Sequence, residues 1–189
     1  MTRRLKTFAG VLASALSAAA ISVTTDAAAA DKPIQAPAFV HDARVEQVAE
    51  AYAKDAIDDA RDKHAIALDG SEKSIQWVER ILSSMHDAYV RAQPKPSEDV
   101  VMTYAKAYGS YIGEVYRHHH AGEWGIVTLG GQSFPGMHAD GGSGTFWPWG
   151  RVRNRLINGP EDNVADYYAF LLKPAGPSPE AASAAPAGK

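Results

Sequence analysis

The sequence predicts an α+β domain: three longer helices, then a small antiparallel sheet of two or three strands, then two short C-terminal helices. Three observations point there. Apolar residues recur at helical spacing in three stretches before residue 120. Between residues 124 and 147 the pattern turns to short alternating runs punctuated by glycine and proline. No strand–helix–strand repeat occurs of the kind that builds a parallel sheet.

Helix 1 is expected from about Asp42 to Lys63, with Val45, Val48, Tyr52 and Ala56 on its apolar face. Asp55, Asp58, Asp59 and Asp62 form an acidic stripe beside it, softened by Lys54, Arg61 and Lys63. The stripe lacks the glycine turn of a calcium loop and reads as a solvated face. His64 to Leu68 is a short apolar connection or strand. Helix 2 is expected to start at Asp69, with Glu72 completing a capping box, and to present Ile75, Val78, Ile81, Leu82, Met85 and Tyr89 before Pro94 and Pro96 end it.

Helix 3 runs from Ser97 to about His119. Ser97 suits an N-cap, and Glu98 and Asp99 complement the helix dipole. Val101, Tyr104, Tyr108, Tyr111 and Val115 make one seam. Ala105, Gly109 and Gly113 make a small-residue stripe beside it. A glycine inside a helix costs about 1 kcal/mol relative to alanine, so the stripe implies close approach of another helix or of the sheet. Strands follow at 124–129, closed by Gly130-Gly131, and at 133–139, interrupted by Pro135-Gly136. A third short strand is expected at 145–147. Residues 140–144 read as a turn. Pro148 opens a short helix that Asn158-Gly159-Pro160 stops. Glu161 and Asp162 open the last helix, with Val164, Tyr167, Tyr168 and Leu171 on one face.

The chain has 189 residues, 46% hydrophobic and 22% charged, and no cysteine. That is one domain's worth of chain. It excludes disulfide scaffolds, Fe–S clusters, thiol nucleophiles and lipid attachment to an N-terminal cysteine. Arg3, Arg4 and Lys6 precede an uncharged, alanine-rich stretch from Phe8 to Val23, and Ala28-Ala29-Ala30 offers a cleavage site. Residues 1–30 therefore read as a secretory signal peptide, with Asp31 the first residue of the mature chain and a periplasmic or secreted destination. A membrane anchor wants about 20 strongly apolar residues. The segment 1–30 holds Arg3, Arg4, Lys6 and Asp26 of the chain's 19 basic and 22 acidic residues, so the remainder carries 16 and 21, a net charge of −5. Such a chain has no electrostatic reason to bind nucleic acid or anionic lipid. Residues 31–39 read as an extended leader, 40–172 as a single domain, and 173–189 as a Pro/Ala-rich tail too poor in large apolar residues to fold.

Catalytic signatures are incomplete. His118, His119 and His120 end helix 3, with Glu123, His138 and Asp140 nearby in sequence. Imidazoles and carboxylates ligate zinc or nickel, but adjacent helical residues point in different directions, so His118, His120 and His138 are weak metal candidates and no cofactor is assigned. Gly142-Ser143-Gly144 lacks the spacing and the strand-to-helix setting of a nucleophile elbow. No phosphate-binding glycine loop occurs. Glu114 follows Gly113 on a face that packs closely, so it needs a partner: Arg117, or one of Arg151, Arg153 and Arg155. The structural reading is a salt bridge tying helix 3 to the 148–158 helix, and the competing one is a catalytic carboxylate. Glu114, Trp124, Arg151 and Arg155 are thus the candidate functional or structural residues.

The segments LDGSEKSIQWVERIL (68–82), AYGSYIGEVYRHHHAGEW (107–124) and WPWGRVRNRLINGPEDNVADYY (147–168) together resemble a bacterial domain family of unknown function. Gly109, Tyr111, Gly113, Glu114, Gly122 and Trp124 stand at its motif positions. The resemblance implies an α+β fold and brings no agreed activity, cofactor or catalytic residue. Similar small domains occur as cargo or immunity-type partners of secreted bacterial proteins. The triple histidine and the glycine-rich 130–144 segment depart from the family pattern.

Two functions follow as expectations. One is an exported non-enzymatic protein that binds another exported protein as an inhibitor or immunity-like module, with Phe146, Trp147 and Trp149 as contact residues or, on the competing reading, as core. The other is a small periplasmic enzyme or metal-binding protein using His118–His120, Glu123, His138 or Asp140.

Overall fold

The structure is a computed structural model that describes residues 37–139 and 144–173. The expected signal peptide, the start of the leader, Asp140, residues 141–143 and the tail from residue 174 lie outside the described residues.

The described residues form an α+β fold of five α-helices and a four-stranded antiparallel sheet. In chain order these are β1 (Ala38–His41), α1 (Ala43–His64), α2 (Ile75–Arg91), α3 (Glu98–His119), β2 (Gly122–Leu129), β3 (Gln132–Ala139), β4 (Gly144–Phe146), α4 (Pro148–Asn158) and α5 (Val164–Leu171). The sheet order is β1-β2-β3-β4. The expected leader thus ends in a strand that pairs Val40 with Ile126. Four residues are too few to show a period, which is why the sequence reads as extended chain there. Gly130 and Gly131, both at positive φ, close the β2–β3 hairpin between paired Leu129 and Gln132, a two-residue turn whose twist suits the strands. Pro135 does not interrupt β3. β4 pairs only from Met137 onward, so one side of β3 is open where the proline lies.

Two helices start later than expected, because residues further along the chain take the cap. Asp69 does not cap α2. It accepts from the backbone N–H and hydroxyl of Ser71, making a turn, and Ser71 caps a 3-10 turn (Glu72–Ser74) that leads into the helix. Likewise Glu161 and Asp162 lie in a 3-10 turn, and Asn163 caps α5 through Ala165 and Asp166. The 64–68 connection forms no strand. Ala65 adopts a left-handed conformation and ends α1.

α3 is the central element, buried on nearly all sides from Ala105 to Tyr116. Its small-residue stripe permits two close approaches. A Cβ on Gly109 would stand 2.9 Å from the Pro148 carbonyl at the start of α4. A Cβ on Gly113 would overlap the Trp124 ring and stand 2.8 Å from the Met137 sulfur. α1 packs on α3 through Ala49, Ala53, Ala56 and Ala60, not through Val48, which is exposed. The large α3 tyrosines leave room only for small residues opposite, and this alanine face escapes a reading that weights large apolar side chains. Trp124, Met137 and Phe146 are cross-strand neighbours and line the core side of the sheet.

Candidate functional site

A groove of about 790 Å³ opens between α1, the 69–71 turn and α3. α1 contributes Glu50, Lys54 and Ile57, the turn Asp69 and Ser71, and α3 Tyr111, Glu114, Arg117, His118 and His119. Tyr111 anchors the turn. Its hydroxyl accepts from the Gly70 N–H at 2.8 Å and bonds the Ser74 hydroxyl, while burial pushes its pKa up.

Arg117 is the centre of the groove's charge network. Its Nη2 donates to Glu114 Oε2 at 2.7 Å and to Glu50 Oε1 at 2.8 Å, and its Nη1 donates to Glu46 Oε1 at 3.1 Å. Its Nε reaches both Glu114 oxygens. These carboxylates, Glu114 first, raise the guanidinium's pKa further. Glu114 is buried, and its Oε1 also accepts from the fully buried Trp124 indole N–H at 2.7 Å. The carboxylate thus clamps an α3 arginine and a β2 tryptophan at once. Of the arginines considered for Glu114, Arg117 is its partner, and Arg151, Arg153 and Arg155 are not. Arg151 pairs with Asp162, Arg153 with Glu98 and Arg155 with Glu79. The α3–α4 tie expected of Glu114 is made by the Arg153–Glu98 pair at 2.6 Å. Arg155 is only 2% exposed. Its Nε and Nη2 hold Glu79, whose other oxygen accepts from the Val164 N–H at the start of α5.

The histidines separate. His118 Nδ1 lies 2.7 Å from the Glu114 carbonyl, His119 Nε2 3.0 Å from the Gly70 carbonyl, and His120 Nε2 2.7 Å from Glu72 Oε1. His138 stacks on Phe39, away from the groove. Glu123 lies beside His138 in the β2–β3 register. Among the described residues no three His, Asp or Glu side chains gather closely enough to hold a metal. The Ser71 hydroxyl turns to Asp69 rather than to either groove histidine. Phe146, expected as a contact residue, is buried. Trp149 packs against the core with its indole N–H on Ser110 Oγ at 2.8 Å. Phe146 and Trp149 therefore pack into the core, while Trp147 is half-buried beside a surface pocket.

Sequence reasoning missed Glu46, Glu50 and Glu79 as partners. Glu46 and Glu50 stand four apart on α1 and share one face of the helix, a spacing that marks a common target. Nothing local marks Glu79, whose arginine lies 76 positions away.

No protein-family model matches the chain, and no curated protein does. The fold is similar to that of a protein from Bacteroides thetaiotaomicron VPI-5482 known from a crystal structure, with a TM-score of 0.50 at 14% identity. The match covers 72% of this chain and 47% of that one, so this chain spans about half its neighbour's length. Likeness at this identity extends to the fold alone.

Proposed function

We propose that the protein is an exported, non-enzymatic binding module whose α1–α3 groove receives a basic segment of another exported protein, in an inhibitor or immunity-like role. The observation that carries this reading is the network around Arg117. Glu50 and Glu114 in the groove, with Glu46 beside it, surround one guanidinium, and Asp69 is a third lining carboxylate against two lining cations, Arg117 and Lys54. The groove is left with an acidic excess that attracts cationic side chains. Both Glu114 oxygens are engaged, so the carboxylate that best fitted an acid–base role has a structural one. The export signal rests on the sequence of residues 1–30, and the module reading on the motif likeness noted above. The enzyme or metal reading has less support, because the histidines address two main-chain carbonyls and Glu72.

Calorimetric titration tests the groove. An oligo-arginine peptide should bind and an oligo-glutamate peptide should not. Glu50→Gln should weaken the basic peptide about fivefold at low salt, with the effect shrinking as salt rises. Equal binding of both peptides, or no effect of Glu50→Gln, contradicts the proposal. Intact mass of protein recovered from the envelope fraction tests export: a first residue at Asp31 supports it and a retained 1–30 segment contradicts it.

A further inference from the structure

The outward face of α2 holds cations that the rest of the fold does not use. Lys73, just before the helix, and Trp77, Arg80, Ser84, Asp87 and Arg91 follow one another at steps of three and four residues, so they share one stripe. All six are exposed, and Trp77 keeps 44% of its surface in solvent. The arginines of the other helices are spent: Arg44, Arg61, Arg117, Arg151, Arg153 and Arg155 each pair with a carboxylate. Among the described residues Arg80 and Arg91 pair with none, and neither does Lys73. Asp87 is the stripe's one acid, and it pairs with neither arginine. The stripe thus carries three cations against one anion, on a chain that is net acidic. The Arg80 guanidinium is already positioned. It lies over the Trp77 ring, 4.9 Å from the centroid, and its donors meet no acceptor among the described residues. From Arg80 to Arg91 the stripe runs about 16.5 Å along the helix. None of its residues lines the α1–α3 groove.

We infer that this stripe binds an acidic polysaccharide, a chain of uronate-type sugars. One sugar ring packs its apolar C–H face on the exposed Trp77 surface. The carboxylates of its neighbours take the forked donors of Arg80 and Arg91, and a hydroxyl reaches Ser84. An acidic polypeptide matches the charge but not the surface. Trp77 is the stripe's one apolar side chain, and a docked helix needs a row of apolar anchors. A membrane matches worse, because a plane of anionic headgroups would also face the net negative remainder of the chain.

Calorimetric titration with hexagalacturonate tests this. It should bind, with an affinity that falls as salt rises. Maltohexaose, a neutral sugar chain, and hexaglutamate, a charged chain without rings, should each bind at least about tenfold more weakly. Trp77→Ala puts a good helix former at an exposed position, so it should fold as wild type and weaken hexagalacturonate about tenfold. Arg80→Gln should weaken it about fivefold. Arg44→Gln makes the same change of charge at an exposed, ion-paired arginine of α1 and should leave binding unchanged. Absence of hexagalacturonate binding, equal affinity for maltohexaose, or undiminished binding by a folded Trp77→Ala protein overturns the proposal. An Arg44→Gln effect as large as that of Arg80→Gln overturns it too. Equal affinity for hexaglutamate points to an acidic polypeptide, and binding to phosphatidylglycerol vesicles alone points to a membrane; either result also overturns it.

Discussion

Two ion-paired centres hold this fold, and they are built differently. Around Arg117, one cation meets three carboxylates at the lip of a groove, and the buried member, Glu114, also holds the Trp124 indole. Around Arg155, one cation meets one carboxylate, Glu79, in a sealed seam joining α2, α4 and the start of α5, and the buried Nη1 has no hydrogen-bond partner among the described residues. The first centre is redundant and half-open. If Glu114 is removed, Glu46 and Glu50 remain on Arg117. The second has no reserve: removing Glu79 strands the buried Arg155 guanidinium, and removing Arg155 leaves a half-buried carboxylate without its cation. Redundancy at a groove lip is compatible with exchange of partners, as a binding surface requires. A single sealed pair serves only to fix three helices.

The largest effect should come from breaking the sealed centre. Arg155→Met keeps apolar bulk but leaves the largely covered Glu79 carboxylate without its cation, holding only the Val164 N–H, at a cost of about 3 kcal/mol. A melt or urea titration showing a loss below about 1 kcal/mol would erase the distinction between the centres. Gly113→Leu attacks the other centre through its packing. The new side chain displaces the Trp124 ring and with it the indole bond to Glu114. The expected cost is about 1–3 kcal/mol or more, read by the same melt together with a shift in tryptophan fluorescence. An unchanged melt would mean that α3 and the sheet are not in close contact.

A smaller effect is expected at the surface tie between the 3-10 turn and the α3 end. Glu72 accepts from His120 and from the Tyr168 hydroxyl, and the His120 bond first of all holds its pKa below the ordinary 4.5. The folded value lies below the unfolded one, so this tie adds stability above about pH 4.5 and loses it as pH falls through the folded value. The melting difference between wild type and Glu72→Gln should therefore be present at pH 7 and shrink below pH 4. A difference that grew on acidification would reverse the sign.

The helix spans, the β2–β3 turn and the meaning of the glycine stripe were legible because each rests on local chemistry: periodicity, turn residues and the cost of glycine in a helix, whereas the starts of α2 and α5 were misplaced. The first strand and the alanine face of α1 were not, because four residues carry no period and small residues carry little hydrophobic signal. At the candidate site the need of Glu114 for an arginine was legible, but Arg117 was one of four alternatives, and the expected tie to the 148–158 helix is not made by Glu114. The carboxylates of α1 and the Arg155–Glu79 seam join elements more than 60 residues apart, and local spacing does not encode such pairings. Arg151 and Arg155 were selected as residues of interest, yet each holds a partner other than Glu114.

The central claim is that Glu114 is a clamp for Arg117 and Trp124 and not a reacting carboxylate. A thermal melt of Glu114→Gln beside wild type tests it most directly. Glutamine keeps the shape and can still accept from the indole, but it gives up the charge facing Arg117. The account predicts a loss of about 1–3 kcal/mol, smaller than that of Arg155→Met because Glu46 and Glu50 remain. A Glu114→Gln protein that melts like wild type would contradict the clamp.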